Sequence, residues 1–548
     1  MGPIFGPDDG ERRRKELPIV TLDQRISRFV PVAIAADIRH LPHGERLVLR
    51  HLIRAARRID GLFLEQVWAG NTALLLELAA DRSPAGQEEL RYFLMNKGPW
   101  SRLDDQEIFV RGTFDVPEKP RQAGFYPADA SREDVEAWIA TLSQARASVA
   151  TGFFSVIRRD DTGAFHAVPY RVAYHDALTA VAADLRAAAA ATGAPSLRRF
   201  LDARADAMLS DEYYDSDLAW MHLDAPIEPT LGPYETYEDE WFGYKAAFEA
   251  FIAIRDDAET ARLSTFGSHL QDIESALPID PRYRNPALGA LAPIRVVNLI
   301  FSAGDGNRGV QTAAFNLPND ERIIREHGAK RVMLKNVQEA KFRHVLVPIA
   351  RAALDPADFA RLSFDAFFAH ILLHELMHGL GPHQVHDDGR PVRLALKDTY
   401  AALEEAKADI SGLWALQFLA DRGVISAEIA GCMYRTFLAG AFRTLRFGIN
   451  EAHGRGMAIQ FNSLLDARAF VVRTNGTFAI DDERIRFATA DLTGRIMTIQ
   501  AHGDYDAAAR MIELATIRPE VQHVLDRLGD IPVDIAPDFP TAREIEGR

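Results

Sequence analysis

One cysteine, Cys432, occurs in 548 residues. An intrachain disulfide is therefore impossible, and so is a four-cysteine zinc knuckle. Basic residues are in deficit, 63 against 78 acidic ones, for a net charge of −15. That balance argues against a nucleic-acid partner, because phosphate backbones are held by positive fields. No stretch approaches 18 uninterrupted apolar residues, so no membrane span is expected. The N-terminal MGPIFGPDDGERRRKELP is polar and has no signal-peptide core. With no span, leader or disulfide in the reading, the expected location is the cytoplasm. There is no G-x-S-x-G elbow for a serine hydrolase. GDGNRG, at 304–309, lacks the Gly-Lys-Ser/Thr ending of a phosphate loop and reads as a turn.

What is present is enough apolar sequence, 47%, for more than one core. Residues 1–18 read as a loose arm. Helical periodicity runs through 41–96, and a helix starting at Ser131 has an acidic first turn. The alanine-rich stretch 177–192 has an apolar face at Leu178, Val181 and Leu185 and reads as a structural helix. Pro226 to Pro233, with three prolines and a glycine, reads as loop, followed by a helix from Trp241 through Ile254. Segments 291–304 and 331–337 read as strands, as does the start of FRHVLVPIA. Helix follows helix from Asp355 to Ile429. AFVVRTNGTFAI reads as a hairpin about Asn-Gly, and a helix is expected over 507–517.

The strongest chemical signal is HILLHELMHGLGPH, 370–383. Within it, His374 and His378 stand four apart on one helix face, so both imidazoles can reach one metal ion. Glu375 follows His374 and can lean over an open coordination position to take a proton from water. Gly379, Gly381 and Pro382 supply the helix end. A third ligand is available 405 − 374 = 31 residues on, in LEEAKAD, with Glu404, Glu405 and Asp409. Two histidines and a glutamate from crossing helices make a common catalytic zinc set. Spacing alone leaves Glu404 and Glu405 both open as the ligand. Glu405 and Asp409 are i,i+4, so one can bind metal while the other orients a histidine. His383 and His386 are further candidates in the following loop.

HELMH followed by EEAKAD resembles the dipeptidyl peptidase III family, M49, in its shorter bacterial and plant-like form. ETYEDEWFGYKAAFEAFIAI (235–254) and FNLPND (315–320) are similar to two more segments of that family. The resemblance implies an α+β fold of two lobes around a wide cleft, a mainly helical zinc-bearing lobe and a mixed lobe with a small β-barrel. It implies mixed-lobe segments at 1–255, 291–349 and 466–548, and helical segments at 256–290 and 350–465. It makes His374, His378 and Glu405 the Zn2+ ligands, Glu375 the general base, and Glu404 and Asp409 the carboxylates that orient the histidines. Glu235 would meet the free amino group of an oligopeptide substrate. Tyr237 would sit near the scissile carbonyl, and Asn316 and Asn319 would bond the peptide backbone. The implied activity is release of N-terminal dipeptides.

The chain departs from the family in three ways. It has HELMH where the dipeptidyl peptidases usually have HExxGH, and its interval to the glutamate and its total length are shorter. The position of the family's cleft histidine falls near Gly456 in EAHGRGMAIQF, with His453 three residues earlier as a substitute. Some members carry a nucleoside-diphosphate hydrolase domain, but no complete Nudix signature occurs here. The alternatives are a zinc hydrolase of a non-peptide amide and a non-catalytic metal-binding scaffold.

Overall fold

A computed structural model describes residues 21–111, 115–288 and 293–547. The N-terminal arm, 1–18, and the first two residues of the segment 291–304 lie outside the described residues. Helix α1 (His43–Val67) packs over a five-stranded sheet, and α2 (His175–Ala191) packs on α1. Its strands are β1 (Ile227–Glu235), β2 (Ala247–Arg255), β3 (Ile294–Gly304), β4 (Ala314–Leu317) and β5 (Lys330–Leu334). Their order is β1-β2-β3-β5-β4; only β3 and β5 pair in parallel. Register shifts at Pro233/Glu235 and Ile252/Ala253 bend the strands, and the sheet curls into a half-barrel.

A second, mostly helical lobe is built on α3 (Phe364–Met377), α4 (Tyr400–Asp421), α5 (Ala427–Leu445), α6 (Ala452–Asp466) and α7 (Arg484–His502). The architecture is thus mixed α+β in two lobes, and the sheet joins them. Side chains alternate across a strand, so Val297, Val332 and Leu334 enter the first core while Val296 and Met333 enter the second. The chain's end returns to the first lobe, where Asp534–Asp538 pairs in parallel with Phe29–Ala33.

Three local expectations are corrected. The proline-rich 226–233 is largely strand, not loop. Among the described residues β1 has one neighbour, β2, and an edge strand has a side on which no N–H is needed; Pro229 and Pro233, four residues apart, share one side. The expected helix 241–254 is instead strand β2 from Ala247 on. That strand is buried on both faces, so its apolar run, interrupted by Glu249 alone before Arg255, shows no alternation to read. FRHVLVPIA is not strand: it forms a π-helical turn, Phe342–Leu346, leading into a helix, Val347–Ala353. Val345, Leu346, Ile349, Ala350 and Ala353 bury one helical stripe there. The hairpin about Asn475-Gly476 is present as Phe470–Val472 and Phe478–Ile480. No helix among the described residues is long and apolar enough to cross a membrane.

Candidate metal centre

Helix α3 starts at Ser363, whose hydroxyl accepts from the Ala366 N–H, and its last turn carries His374 with His378 at the C-cap. Helix α4 crosses it closely because of Gly412: a Cβ there would stand 3.1 Å from the His374 backbone nitrogen. Helix α6 presses on α4 in the same way. A Cβ on Gly456 would lie 2.8 Å from the Ala402 carbonyl oxygen and 3.3 Å from Glu405 Cβ. No side chain, and so no histidine, fits at 456 without moving α6. His453, one turn earlier, reaches the site instead.

Nε2 of His374 and Nε2 of His378 lie 3.2 Å apart. The Nδ1 of His374 donates to Asp409 Oδ1 at 2.8 Å, and that of His378 to Glu404 Oε1 at 3.0 Å. Both Nε2 lone pairs are thereby left facing one point. Glu405 Oε2 faces the same point, 3.4 Å from His374 Nε2, 3.9 Å from His378 Nε2 and 3.2 Å from His453 Nε2. That oxygen is buried and accepts no well-formed hydrogen bond. Two imidazole nitrogens and a carboxylate oxygen converging on one point is the arrangement a cation satisfies. His374, His378 and Glu405 form the group able to hold a metal ion among the described residues. The donor set, two imidazoles and one carboxylate, fits zinc.

The outer partners fix this geometry. Burial opposes ionisation of Glu404, but bonds from His378 and Lys407 (2.8 Å) outweigh it and hold its pKa at about 2. Burial likewise opposes ionisation of Asp409, yet His374 and Gln460 keep it at about 2. Burial disfavours protonated His374, but Asp409, Glu405 and Glu375 outweigh it and raise its pKa well above the usual histidine value, so an ion bound at Nε2 displaces a proton from it. Gln500 donates to Glu404 Oε2 at 2.9 Å. His370, one turn before His374, donates to the Asp409 carbonyl at 2.9 Å, and burial lowers its pKa. Lys407, Gln460, Gln500 and His370 were not singled out from sequence. Only His370 had a visible signal, its i−4 spacing from His374.

Replacing Asp409 by Asn should therefore weaken zinc affinity roughly tenfold to a hundredfold while leaving the ligands in place. Competition with a calibrated chelator measures this; an unchanged affinity would remove Asp409 from the site's support.

A cavity of about 390 Å³ opens on the cluster. His374, Glu375, Asp409 and His453 line it from the helical lobe, and Ala313 and Ala314 from the sheet lobe. Glu235, Tyr237, Asn316 and Asn319 do not line this cavity. Asn319 donates to the Tyr234 carbonyl at 3.0 Å, beside Glu235, and Asn316 stands exposed on edge strand β4. Burial and the nearby Asp305 raise the Glu235 pKa; the Glu235 charge in turn is the main cause of a raised pKa at the exposed Tyr237. His383 and His386 line a different cavity, with Tyr283, and are not part of the metal cluster.

The family model described as Peptidase family M49 matches residues 161–390. Nudix hydrolase 3 of Arabidopsis thaliana is 40% identical over 96% of this chain and 75% of its own length. Dipeptidyl peptidase 3 of Homo sapiens is 27% identical over 31% of this chain and 22% of its own. Among solved structures, dipeptidyl-peptidase III from Corallococcus sp. strain EGB is 54% identical with a TM-score of 0.82, covering 96% of this chain and 98% of that one. DPP III from Caldithrix abyssi is 43% identical with a TM-score of 0.92, covering 95% and 100%.

Proposed function

Because this chain belongs to peptidase family M49, we propose that it is a zinc-dependent exopeptidase releasing N-terminal dipeptides from oligopeptides. The observation that carries the reading is the convergence of His374 Nε2, His378 Nε2 and the unbonded Glu405 Oε2 on one point, with Glu375 lining the same cavity. These three side chains would hold the zinc. Zinc, when bound there, supplies a Lewis acid that polarises the peptide carbonyl and acidifies water. Glu375 takes the proton of the attacking water and delivers it to the leaving amine. His453, with its Nε2 at the Glu405 carboxylate, is the donor at hand for a developing oxyanion; Tyr237, outside this cavity, has that role from the family resemblance alone. Asp409 and Glu404 keep the Nδ1 protons of the two histidines in place and so keep Nε2 free.

Dipeptide release needs a fixed distance between the substrate ammonium and the scissile carbonyl. Glu235 is the anion for that ammonium, with Asn316 on β4 and Asn319 just past its end as backbone partners. The plant relative's name points to a second chemistry, diphosphate hydrolysis. This chain spans 75% of that protein and holds no complete Nudix signature, so the peptidase reading is preferred.

The test is a panel of unblocked peptides and their N-acetylated copies, with products read by mass. Dipeptides should leave free-amine peptides preferentially, and acetylation should cost roughly tenfold to a hundredfold in kcat/KM, the worth of a charge-assisted bond. The raised Glu235 pKa means its anion is lost earlier on acidification than an ordinary carboxylate. KM for free-amine peptides should accordingly rise as pH falls through that value, and Glu235→Gln should flatten the rise. Internal cuts, or equal rates on acetylated peptides, would refute the exopeptidase assignment.

A further inference from the structure

The wall of the metal cavity contributed by α5 includes Thr436, Phe437, Gly440, Arg443 and Thr444. Arg443 stands out because, among the described residues, it has no hydrogen bond and no ion pair. Its charge is felt by Asp534, but that carboxylate already accepts from Lys341 Nζ at 2.8 Å and from the Gln311 N–H at 2.6 Å. The neighbouring Arg446 is satisfied by neutral carbonyls, those of Pro532 at 2.7 Å and Ile531 at 2.9 Å. Two cations, Lys341 and Arg443, therefore share one anion, with Arg446 a third cation whose charge acts against Arg443, in a chain whose net charge is −15. Burial lowers the Arg443 pKa. A partly buried guanidinium without an anion is costly, and a ligand carboxylate would relieve it with paired N–H bonds.

The direction of a bound peptide follows from strand β4. Just past its C-terminal end, Asn319 bonds the carbonyl next to Glu235. At its N-terminal end, Ala313 and Ala314 line the same cavity as Glu375. A peptide with its ammonium at Glu235 and its scissile carbonyl at Glu375 therefore sends its downstream residues into the cavity that holds Arg443. We infer that Arg443 binds a substrate carboxylate on the C-terminal side of the scissile bond, either the terminal carboxylate of a short peptide or an acidic side chain. This rests on the peptidase reading above. The competing account is structural: Arg443 lies in the last turn of α5, where the helix dipole favours a cation regardless of substrate.

Three peptides separate these accounts: one sequence as its free C-terminal acid and as its amide, and the same amide with aspartate placed two residues past the scissile bond. Binding is measured by calorimetry on zinc-loaded Glu375→Gln protein, and turnover on the active enzyme. The acid or the aspartyl amide should bind about tenfold or more tighter than the plain amide, with the difference in KM rather than kcat. Whichever of the two binds tighter identifies the source of the carboxylate. Arg443→Gln should erase the preference and Arg443→Lys should restore part of it. Equal binding of all three peptides to the parent protein would overturn the inference, and so would a preference that survives Arg443→Gln. The comparison within the parent protein stands even if Arg443→Gln fails to fold. Cleavage without discrimination removes only the Arg443 assignment; a zinc-loaded protein that neither binds nor cleaves any of the peptides removes the peptidase reading with it.

Discussion

Replacing Glu375 by Gln should lower kcat by roughly a hundredfold to ten-thousandfold, the range of a positioned general acid–base group. Glutamine keeps the shape and the neighbours but cannot accept the proton of the attacking water. The residue is not in the cluster that converges on the metal point, so zinc content should remain that of the parent enzyme. KM should change little, because the lost interaction is made in the transition state. Steady-state kinetics with metal analysis of the same sample checks all three. A variant retaining more than about a tenth of kcat would remove Glu375 from the mechanism.

Replacing His378 or Glu405 by Ala should abolish activity by a different route, through loss of the metal. Each supplies one of three atoms facing one point, and what remains is a two-ligand site. Zinc binding also couples to stability, because an ion that binds only the folded chain stabilises it. Three helices meet at the cluster, and Gly412 and Gly456 hold them close. Added zinc should therefore raise the melting temperature of the metal-stripped parent protein and leave that of the His378→Ala variant unmoved. Calorimetric melts with and without zinc measure this. A variant that still melts higher with zinc would place the metal elsewhere.

The site was more legible in the sequence than the sheet that faces it. Four-residue spacing on a helix determines that His374 and His378 share a face, and no tertiary contact can change that. The choice between Glu404 and Glu405 was not legible from spacing. Adjacent helix residues point about 100° apart, and only the crossing of α4 over α3 selects which one meets the imidazoles. That crossing depends on Gly412, a residue with no local signal. Gln460 and Gln500 come from α6 and α7, 51 and 96 residues from the carboxylates they bond, beyond any local pattern. Strands β1 and β2 hide from the sequence for opposite reasons. Prolines in β1 read as a breaker, although an edge strand tolerates them. Ala-Phe-Glu-Ala-Phe-Ile in β2 showed no alternation, because both faces are buried. Glu235 ends the first of these strands, so its place in the fold became clear only with the sheet.

The most direct measurement is anomalous diffraction at the zinc edge from crystals of the zinc-loaded enzyme. The account predicts one strong peak within bonding distance, about 2.0–2.2 Å, of His374 Nε2, His378 Nε2 and a Glu405 oxygen. It predicts Glu375 beside the peak without a bond to it. No peak at that point, or a peak held by His383 and His386 in their separate cavity, would contradict it.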